Sequence, residues 1–216
     1  MSFCKEKVRE GMKLYAVTDR SWLGEDTLPS AVEKALMGGA TFVQLREKGM
    51  DTASMAEEGR EIAALCRQYG VPFVVNDDVL AAKMCGADGV HVGQSDMEAL
   101  KVRELLGEDA IIGVSAGTVE EALLAQKMGA DYIGVGTVFN TSTKKDAEAV
   151  ALDTLREICN AVDIPVVAIG GINENNILRL SGSGIDGVAV VSAIFASPDI
   201  ENAARRLNAL AEEVIK

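Results

Sequence analysis

A short apolar segment that begins at Phe42 carries polar groups at alternate positions. In "FVQLREKG", the polar residues Gln44, Arg46 and Lys48 are two positions apart. The residues between Phe42 and Gln44 and between Gln44 and Arg46 are apolar. Successive side chains of a strand point to opposite faces, so the amide, guanidinium and ammonium groups would share one face. A guanidinium binds phosphate oxygens in pairs, and an ammonium adds a mobile point charge. The spacing predicts an anion site; two surface ions at a fraying strand end are the alternative.

Two aspartates follow consecutive apolar segments further along the chain. Asp77 ends "FVVND", and Asp96 lies just past "GVHVG". Two carboxylates together with phosphate oxygens and waters are a usual environment for Mg²⁺. Both aspartates precede helical segments, so a role as helix N-cap is the alternative for each. Their position next to the basic cluster predicts a diphosphate bridged by Mg²⁺.

Glycine and hydroxyl residues mark a second anion site. "AIGGI" (168–172) and "VVSA" (190–193) end two late apolar segments. Glycine lets the main chain approach a phosphate closely, which favours binding through backbone N–H groups. The loop "GTVFNTSTKKDA" (136–147) offers hydroxyl groups and two lysines. Its composition fits a loop that closes over an anion and a solvated loop equally well.

Composition and charge restrict the class of partner. The chain has 216 residues and a formal net charge of −12, which argues against binding to nucleic acid or to an anionic membrane. The single histidine, His91, lies in the middle of a predicted strand, where a packed or hydrogen-bonded role is favoured over catalysis. Four cysteines without a Cys-x-x-Cys pair, and the lack of an export leader or membrane-spanning segment, predict a cytoplasmic protein with reduced thiols.

Eight short apolar runs alternate with segments that are mostly long enough for a helix. The runs are "KLYAVTD", "FVQLRE", "FVVND", "GVHVG", "IIGVS", "YIGVGT", "VVAIGG" and "GVAVVSA". Near-continuous Val and Ile runs are typical of parallel strands buried on both faces. The echo among "CGADGVHVG", "MGADYIGVG" and "SGIDGVAVV", with "GGATFVQL" as a looser copy, indicates a repeated unit.

These features predict the α/β class, with a single (β/α)8 TIM barrel domain over residues 1–216. Residues 1–12 are expected to form an N-terminal helical extension. A doubly wound open sheet is the alternative. Functional groups of a barrel collect at the C-terminal ends of the strands, where the polar residues described above are found.

The motifs together resemble the thiamine phosphate synthase family. "QLREK", "VNDD", "HVGQSD", "GVS", "TSTK", "AIGGI" and "VVSAI" occur in this order between about residues 13 and 197. The resemblance implies a Mg²⁺-dependent transferase that joins 4-amino-2-methyl-5-(diphosphooxymethyl)pyrimidine to a thiazole phosphate and releases pyrophosphate. It implies a dissociative course, in which the C–O bond breaks before the thiazole nitrogen attacks.

The resemblance also implies the role of individual residues. The expected pyrimidine diphosphate site comprises Gln44, Leu45, Arg46, Glu47, Lys48, Asn76, Ser115 and Lys144. Catalysis is assigned to four of these, Arg46, Lys48, Lys144 and Ser115. The thiazole phosphate site comprises Thr141, Ser142, Thr143, Gly171, Val191 and Ser192, and the metal ligands are Asp77 and Asp96. The expected partners are these two small molecules, and a homo-oligomer is left open.

One position departs from the family pattern, and two other functions compete. Many relatives have His in the segment "VSAGT", where this chain has Gly117.

A thiazole tautomerase-like paralogue would need the thiazole phosphate pocket but not the diphosphate and Mg²⁺ residues. A non-catalytic phosphate-binding barrel is a third reading, because fold alone does not define function.

Overall fold

The protein forms eight strands separated by helices. The computed structural model describes residues 8–24, 26–140 and 150–215. The strands are β1 (Leu14–Val17), β2 (Phe42–Leu45), β3 (Phe73–Asn76), β4 (Gly89–Val92), β5 (Ile111–Ala116), β6 (Tyr132–Val135), β7 (Val166–Ile169) and β8 (Gly187–Val190). Each coincides with one of the eight predicted runs, and only β5 extends past its run, by one residue.

All eight strands pair in parallel and close into a barrel in sequence order, with β8 beside β1. This confirms the predicted single-domain (β/α)8 barrel and excludes an open doubly wound sheet, because a closed barrel has no edge strand.

Helices connect the strands, and most of them cover the outside of the barrel. They are α1 (Val8–Gly11), α2 (Leu28–Met37), α3 (Thr52–Tyr69), α4 (Val79–Cys85), α5 (Ala99–Leu106), α6 (Val119–Lys127), α7 (Leu152–Ala161), α8 (Ser192–Phe195) and α9 (Ile200–Val214). The connection from β7 to β8 contains a 3-10 helix, Ile177–Leu180, instead of an α-helix. None of the helices in the described ranges is long and apolar enough to cross a membrane.

Apolar side chains form two separate layers. The larger cluster lies between strands and helices and includes Val43 and Leu45. The smaller cluster includes Tyr15, Phe42 and Tyr132, and Val8 and Met12 from the N-terminal side join it. Alternate residues of a buried strand therefore face the helices or the barrel interior, as the period of two requires. The prediction that residues 1–12 form a helical extension stays a prediction, since α1 covers part of it and residues 1–7 lie outside the described ranges.

The sequence echo corresponds to a repeated hydrogen bond at the N-terminal end of the barrel. The residue before each of β4, β6 and β8 is an aspartate whose Oδ2 accepts the backbone N–H of the preceding strand: Asp88 from Phe73 at 2.9 Å, Asp131 from Ile112 at 2.8 Å and Asp186 from Val166 at 2.8 Å. In the looser copy, Thr41 Oγ1 accepts the N–H of Leu14 at 2.8 Å. The repeat thus fixes successive pairs of strands in register.

A buried arginine strengthens this end of the barrel. Arg103 on α5 donates to Asp131 Oδ2 at 2.7 Å and to the carbonyl groups of Glu108 and Gly129 at 3.1 and 3.0 Å. Its side chain is 9% exposed and that of Asp131 is 7% exposed. A buried guanidinium needs several acceptors to offset its lost hydration, and the carbonyl groups provide them.

Candidate active site

Strand β2 ends earlier than the polar segment that follows it. Gln44 is the penultimate residue of β2, whereas Arg46, Glu47 and Lys48 lie beyond its end. The N–H of Arg46 donates to Thr18 Oγ1 at 2.9 Å, so a side-chain hydroxyl replaces the strand ladder there. The chain leaves the barrel wall at this point, and Arg46 and Lys48 reach the C-terminal mouth.

Most of the predicted site residues line one cavity at the mouth. The cavity has a volume of about 980 Å³, at the upper end of the range for small-molecule sites, which is roughly 300–1,000 Å³. The predicted residues along it are Gln44, Arg46, Lys48, Asn76, Asp77, Asp96, Ser115, Gly171, Val191 and Ser192. They come from both sides of the barrel mouth. Four of them, Arg46, Lys48, Asn76 and Asp77, also border a neighbouring cleft of about 700 Å³.

Two predicted residues are placed differently. The side chain of Leu45 is fully buried in the apolar layer between strands and helices. Glu47 borders the smaller cleft and accepts from Thr18 Oγ1 at 2.9 Å and from Arg20 Nε at 2.8 Å. Glu47 thereby ties the loop after β1 to the loop after β2. Four further residues of the prediction, Thr141, Ser142, Thr143 and Lys144, lie outside the described residues.

Arg46 and Lys48 are two cations at the mouth. Within the described ranges, the side chains of Arg46 and Lys48 form no ion pair and no hydrogen bond with the protein. Arg20 and Arg103, by contrast, are both paired with carboxylates. Unpaired cations that border the same cavity are an arrangement suited to a multiply charged anion.

Asp77 and Asp96 face each other across the ends of adjacent strands. The pKa of Asp77 is raised to about 6, mainly by the loss of surrounding water and then by the hydrogen bond and negative charge of Asp96, whereas Asn76 and Arg46 oppose the shift. The Asn76 amide donates to Asp77 Oδ2 at 2.5 Å, and Asp96 Oδ2 accepts from the Gly93 N–H at 2.8 Å. Two carboxylates this close repel each other unless a proton or a cation lies between them.

The helix-capping alternative for these aspartates is wrong. Asp78 is the N-cap of α4, where its Oδ1 accepts from Ala81 N at 2.8 Å. The N-cap position of α5 is Glu98, not Asp96. Asp77 itself has a φ of 61°, a left-handed conformation that is uncommon for any residue but glycine. Strain of this kind concentrates at functional sites, and here it leaves the carboxylate available to a ligand.

The opposite side of the mouth consists of glycine and backbone groups. Gly170 and Gly171 follow β7 with φ values of 103° and 65°. A Cβ atom on Gly171 would lie 2.5 Å from the carbonyl oxygen of Asn140, so only glycine fits beneath the loop that follows β6. Val191 and Ser192 follow β8 on the same side of the cavity. Gly170, Gly171, Val191 and Ser192 carry no negative charge, so an anion can approach the main chain closely here.

Three residues that the sequence did not assign to the site also line the cavity. Tyr15, His91 and Tyr132 lie on β1, β4 and β6 with their polar groups in the barrel interior. The hydrogen-bonded role that the sequence favours for His91 is confirmed, because its ring nitrogens contact Tyr132 and Ser115. The tyrosines gave no separate signal, since aromatic residues within apolar runs also fit simple packing.

Comparisons with known proteins agree with this geometry. The family described as "Thiamine monophosphate synthase" matches residues 14–194. The chain is 48% identical to a thiamine-phosphate synthase of Clostridium tetani over 93% of this chain and 96% of that protein. It is 51% identical to the enzyme of that name from Ruminiclostridium cellulolyticum, over 90% and 92% of the two chains.

A solved structure shows the same similarity in three dimensions. The thiamine phosphate pyrophosphorylase from Pyrococcus furiosus has a TM-score of 0.89 and 42% identity, covering 97% of this chain and 100% of that chain. Fold and sequence similarity extend over almost the whole length, and the chain belongs to the thiamine monophosphate synthase family.

Proposed function

We propose that this protein condenses 4-amino-2-methyl-5-(diphosphooxymethyl)pyrimidine with a thiazole phosphate to give thiamine phosphate and pyrophosphate. The observation that carries the proposal is the composition of one cavity wall. Arg46 and Lys48, which form no ion pair within the described residues, border the same cavity as the carboxylate pair of Asp77 and Asp96. Family membership supplies the reaction that uses such a wall.

The pyrimidine diphosphate is proposed to bind on the side formed by β2 to β5. Arg46 can hold two phosphate oxygens with its planar fork, and Lys48 can follow the charge as the leaving group departs. Gln44, Asn76 and Ser115 border the same side and offer hydrogen bonds to polar atoms of the substrate. Lys144 is proposed for this site from the sequence alone. Leu45 and Glu47 belong to it through their main chain and through the support that Glu47 gives to the loop.

Mg²⁺ is the proposed cofactor, and the donor set fits it. Asp77 and Asp96 offer carboxylate oxygens, which are the ligands that Mg²⁺ prefers. No group of three or more His, Cys, Asp or Glu side chains in the described ranges is arranged to hold a metal. This favours an ion held by two carboxylates and substrate oxygens over one enclosed by protein. When bound, Mg²⁺ would neutralise charge on the diphosphate and its leaving oxygen.

The thiazole phosphate is proposed to bind on the opposite side, after β7 and β8. Gly171, Val191 and Ser192 provide main-chain groups there, and many barrels bind phosphate at this position. Thr141, Ser142 and Thr143 are proposed from the sequence to add hydroxyl groups. The two phosphorylated molecules would then meet in the middle of the cavity, with the reacting atoms between them.

The proposed step is an alkyl transfer with a dissociative course. The C–O bond to the diphosphate breaks, and its electron pair leaves with pyrophosphate. The thiazole nitrogen then forms a C–N bond to the pyrimidine methylene carbon. Arg46 and Lys48 stabilise the developing negative charge, and the cavity holds the nucleophile in place. No side chain needs to act as a nucleophile, which agrees with a mouth that contains carboxylates and cations.

A direct assay tests this proposal. The protein is incubated with both substrates and Mg²⁺, and thiamine phosphate and pyrophosphate are measured together. We expect equal amounts of both products and none when either substrate is omitted. Conversion of a thiazole carboxylate phosphate to its tautomer without condensation would replace the proposal by the isomerase alternative. Binding of phosphate without turnover would indicate a non-catalytic barrel.

Charge and cysteine chemistry support the proposed partners and location of the enzyme. The partners are small molecules, and a nucleic acid or membrane partner is not proposed because of the net charge of −12. A cytoplasmic location is proposed, with Cys66, Cys85 and Cys159 as free thiols. Burial raises the pKa of the Cys159 thiol to about 11, which keeps it protonated and unreactive near neutral pH.

A further inference from the structure

Five polar side chains form a continuous hydrogen-bonded chain across the barrel interior. Gln44 Nε2 lies 2.6 Å from Tyr15 Oη, which lies 2.7 Å from Tyr132 Oη. Tyr132 Oη lies 3.0 Å from His91 Nδ1, and His91 Nε2 lies 2.9 Å from Ser115 Oγ. We call this set, Gln44, Tyr15, Tyr132, His91 and Ser115, the interior chain. Its two ends are residues proposed for the pyrimidine diphosphate site.

The barrel register explains why side chains so distant in sequence meet. His91 on β4 pairs with Gly113 on β5, and Gly113 pairs with Tyr132 on β6. Because the middle residue of this row is glycine, His91 and Tyr132 meet above it. A Cβ atom on Gly113 would overlap the Tyr132 ring, and one on Gly134 would lie 3.0 Å from His91 Cε1. The two glycines leave the space that the interior chain occupies.

Proton counting fixes the direction of the interior chain. The amide nitrogen of Gln44 has protons to donate and no free lone pair, so Tyr15 Oη accepts from it. Burial raises the pKa of both Tyr15 and Tyr132, so each phenol keeps its single proton. Tyr15 must then donate to Tyr132, and Tyr132 must donate to His91 Nδ1.

The same count of protons determines the protonation state and the tautomer of His91. Nδ1 accepts a proton from Tyr132, so the proton of the neutral imidazole is on Nε2 and is donated to Ser115 Oγ. An imidazolium would place a proton on Nδ1, and the proton of one buried phenol would then have no acceptor within the interior chain. Leaving a buried donor unpaired is unfavourable. The ring is therefore neutral and held in one tautomer.

From this geometry we infer that His91 and Tyr132 are positioning residues, which hold the hydroxyl hydrogen of Ser115 toward the cavity as a donor to the bound pyrimidine diphosphate. Ser115 Oγ accepts from His91, so its own proton is available to a lone pair of the ligand. The other end of the interior chain has the opposite polarity, because the Gln44 amide oxygen is left as an acceptor. The inference deepens the proposed function and rests on it for the identity of the ligand.

The single histidine makes the tautomer directly measurable. Protein without a histidine tag is labelled with ¹⁵N in the imidazole ring, and the ring resonances are recorded without substrate or metal. We expect a protonated Nε2 and an unprotonated Nδ1 that accepts a hydrogen bond. Tyr132→Phe removes that bond and should move the Nδ1 resonance toward the value of a free acceptor nitrogen. The exposed Tyr69→Phe is the matched control and should move neither resonance.

Kinetics then test whether the interior chain acts through Ser115. Tyr132→Phe should lower kcat/KM for the pyrimidine diphosphate by roughly 10- to 100-fold, the effect of losing one orienting hydrogen bond. Ser115→Ala should lower it at least as much, and the double variant should be no slower than Ser115→Ala alone.

Three results would overturn the inference. The first is a protonated Nδ1 in the unmodified protein, and the second is an Nδ1 resonance that does not move in Tyr132→Phe. The third is a loss of kcat/KM in the double variant equal to the product of the losses in the two single variants. The resonances require no substrate, so they test the interior chain even if the protein failed to make thiamine phosphate. Conversely, condensation activity with a protonated Nδ1 would leave the proposed function intact and reject the inference alone.

Discussion

At the scale of single residues, the candidate site combines two cations and two carboxylates that border one cavity. Arg20, which follows β1, forms ion pairs with Glu47 and Glu58. Arg46 and Lys48 form no such ion pair within the described ranges, although the charge of Arg46 lowers the pKa of Asp77. Arg20 therefore has a structural role, whereas Arg46 and Lys48 are the cations placed to bind an anion in the cavity.

The shape of Arg46 matters as well as its charge. Arg46→Lys keeps the positive charge but removes the planar fork that can bind two phosphate oxygens. We expect kcat/KM for the pyrimidine diphosphate to fall by roughly 10- to 100-fold, with KM for the thiazole phosphate unchanged. Steady-state kinetics with each substrate varied in turn measure this. Arg156→Lys, at an exposed pair on α7, serves as the control. Equal losses for both substrates would argue against a diphosphate contact.

The carboxylate pair reduces stability when no cation is bound. Asp77 holds its proton more tightly in the folded protein than in the unfolded chain, because its pKa is raised to about 6. Metal-free protein should therefore lose stability as pH rises from the ordinary aspartate pKa through about 6. Asp77→Asn should remove this decline and raise the melting temperature near neutral pH by roughly 1–4 °C. Thermal scans in a chelator across this pH window measure it.

The same variant should lose the Mg²⁺-dependent reaction, since it removes a proposed ligand. The contrasting variant is Asp78→Ala, which removes the N-cap of α4 and should lower stability by about 1 kcal/mol. If Asp77→Asn were less stable than the unmodified protein in chelator, or retained full Mg²⁺-dependent turnover, the pair would not be a cation site.

At the scale of elements, glycine positions decide how closely two loops approach. Gly171 after β7 lies under the loop that follows β6, and its φ is 65°. Gly182 has a φ of 73°, but a Cβ atom there would contact nothing within 4 Å. The two residues thus share the left-handed conformation and differ only in crowding.

This pair of glycines provides a matched test. Gly182→Ala should lower the free energy of unfolding by about 1 kcal/mol, the cost of a left-handed alanine. Gly171→Ala should cost more, because its Cβ would lie 2.5 Å from the Asn140 carbonyl oxygen. It should also raise KM for the thiazole phosphate, while KM for the pyrimidine diphosphate changes little. Denaturant titration and steady-state kinetics measure the two effects. Similar values for both variants would show that the loops separate easily.

At the scale of the whole molecule, the two ends of the barrel have different tasks. The proposed ligand residues lie at the C-terminal mouth, whereas the repeated aspartates and Arg103 lie at the N-terminal end. Catalytic groups and stabilising groups are commonly separated in this way in barrels of this kind. Substitutions at the N-terminal end should therefore alter stability without altering the chemistry.

Asp131→Ala tests this separation. It leaves Arg103 buried without its carboxylate and removes the acceptor of the Ile112 N–H, so we expect a loss of about 3–5 kcal/mol in unfolding free energy. The control is Asp153→Ala, whose ion pair with Arg156 is exposed and should contribute less than about 1 kcal/mol. Folded Asp131→Ala should keep its kcat below its melting temperature. A lower kcat would mean that the two ends are coupled.

The sequence by itself determined the number of strands and their parallel arrangement, and most of the site residues it predicted border the cavity at the mouth. Strand alternation predicted that Gln44 and Leu45 point to opposite faces, and in the structure Gln44 contacts Tyr15 inside the barrel whereas Leu45 packs in the layer between strands and helices. Local patterns suffice for these features, because the period of a strand and the polar residues at its end are properties of short segments.

Only the tertiary structure decided which residues contact each other and which of two neighbouring residues faces the cavity. It made Asp78 the N-cap of α4 and left Asp77 facing Asp96, although the sequence also allowed Asp77 to be the cap. It also brought Tyr15 and Tyr132 together across 117 positions of sequence. Such contacts depend on barrel closure and on the register of strands far apart in the chain, and no local pattern encodes either of them.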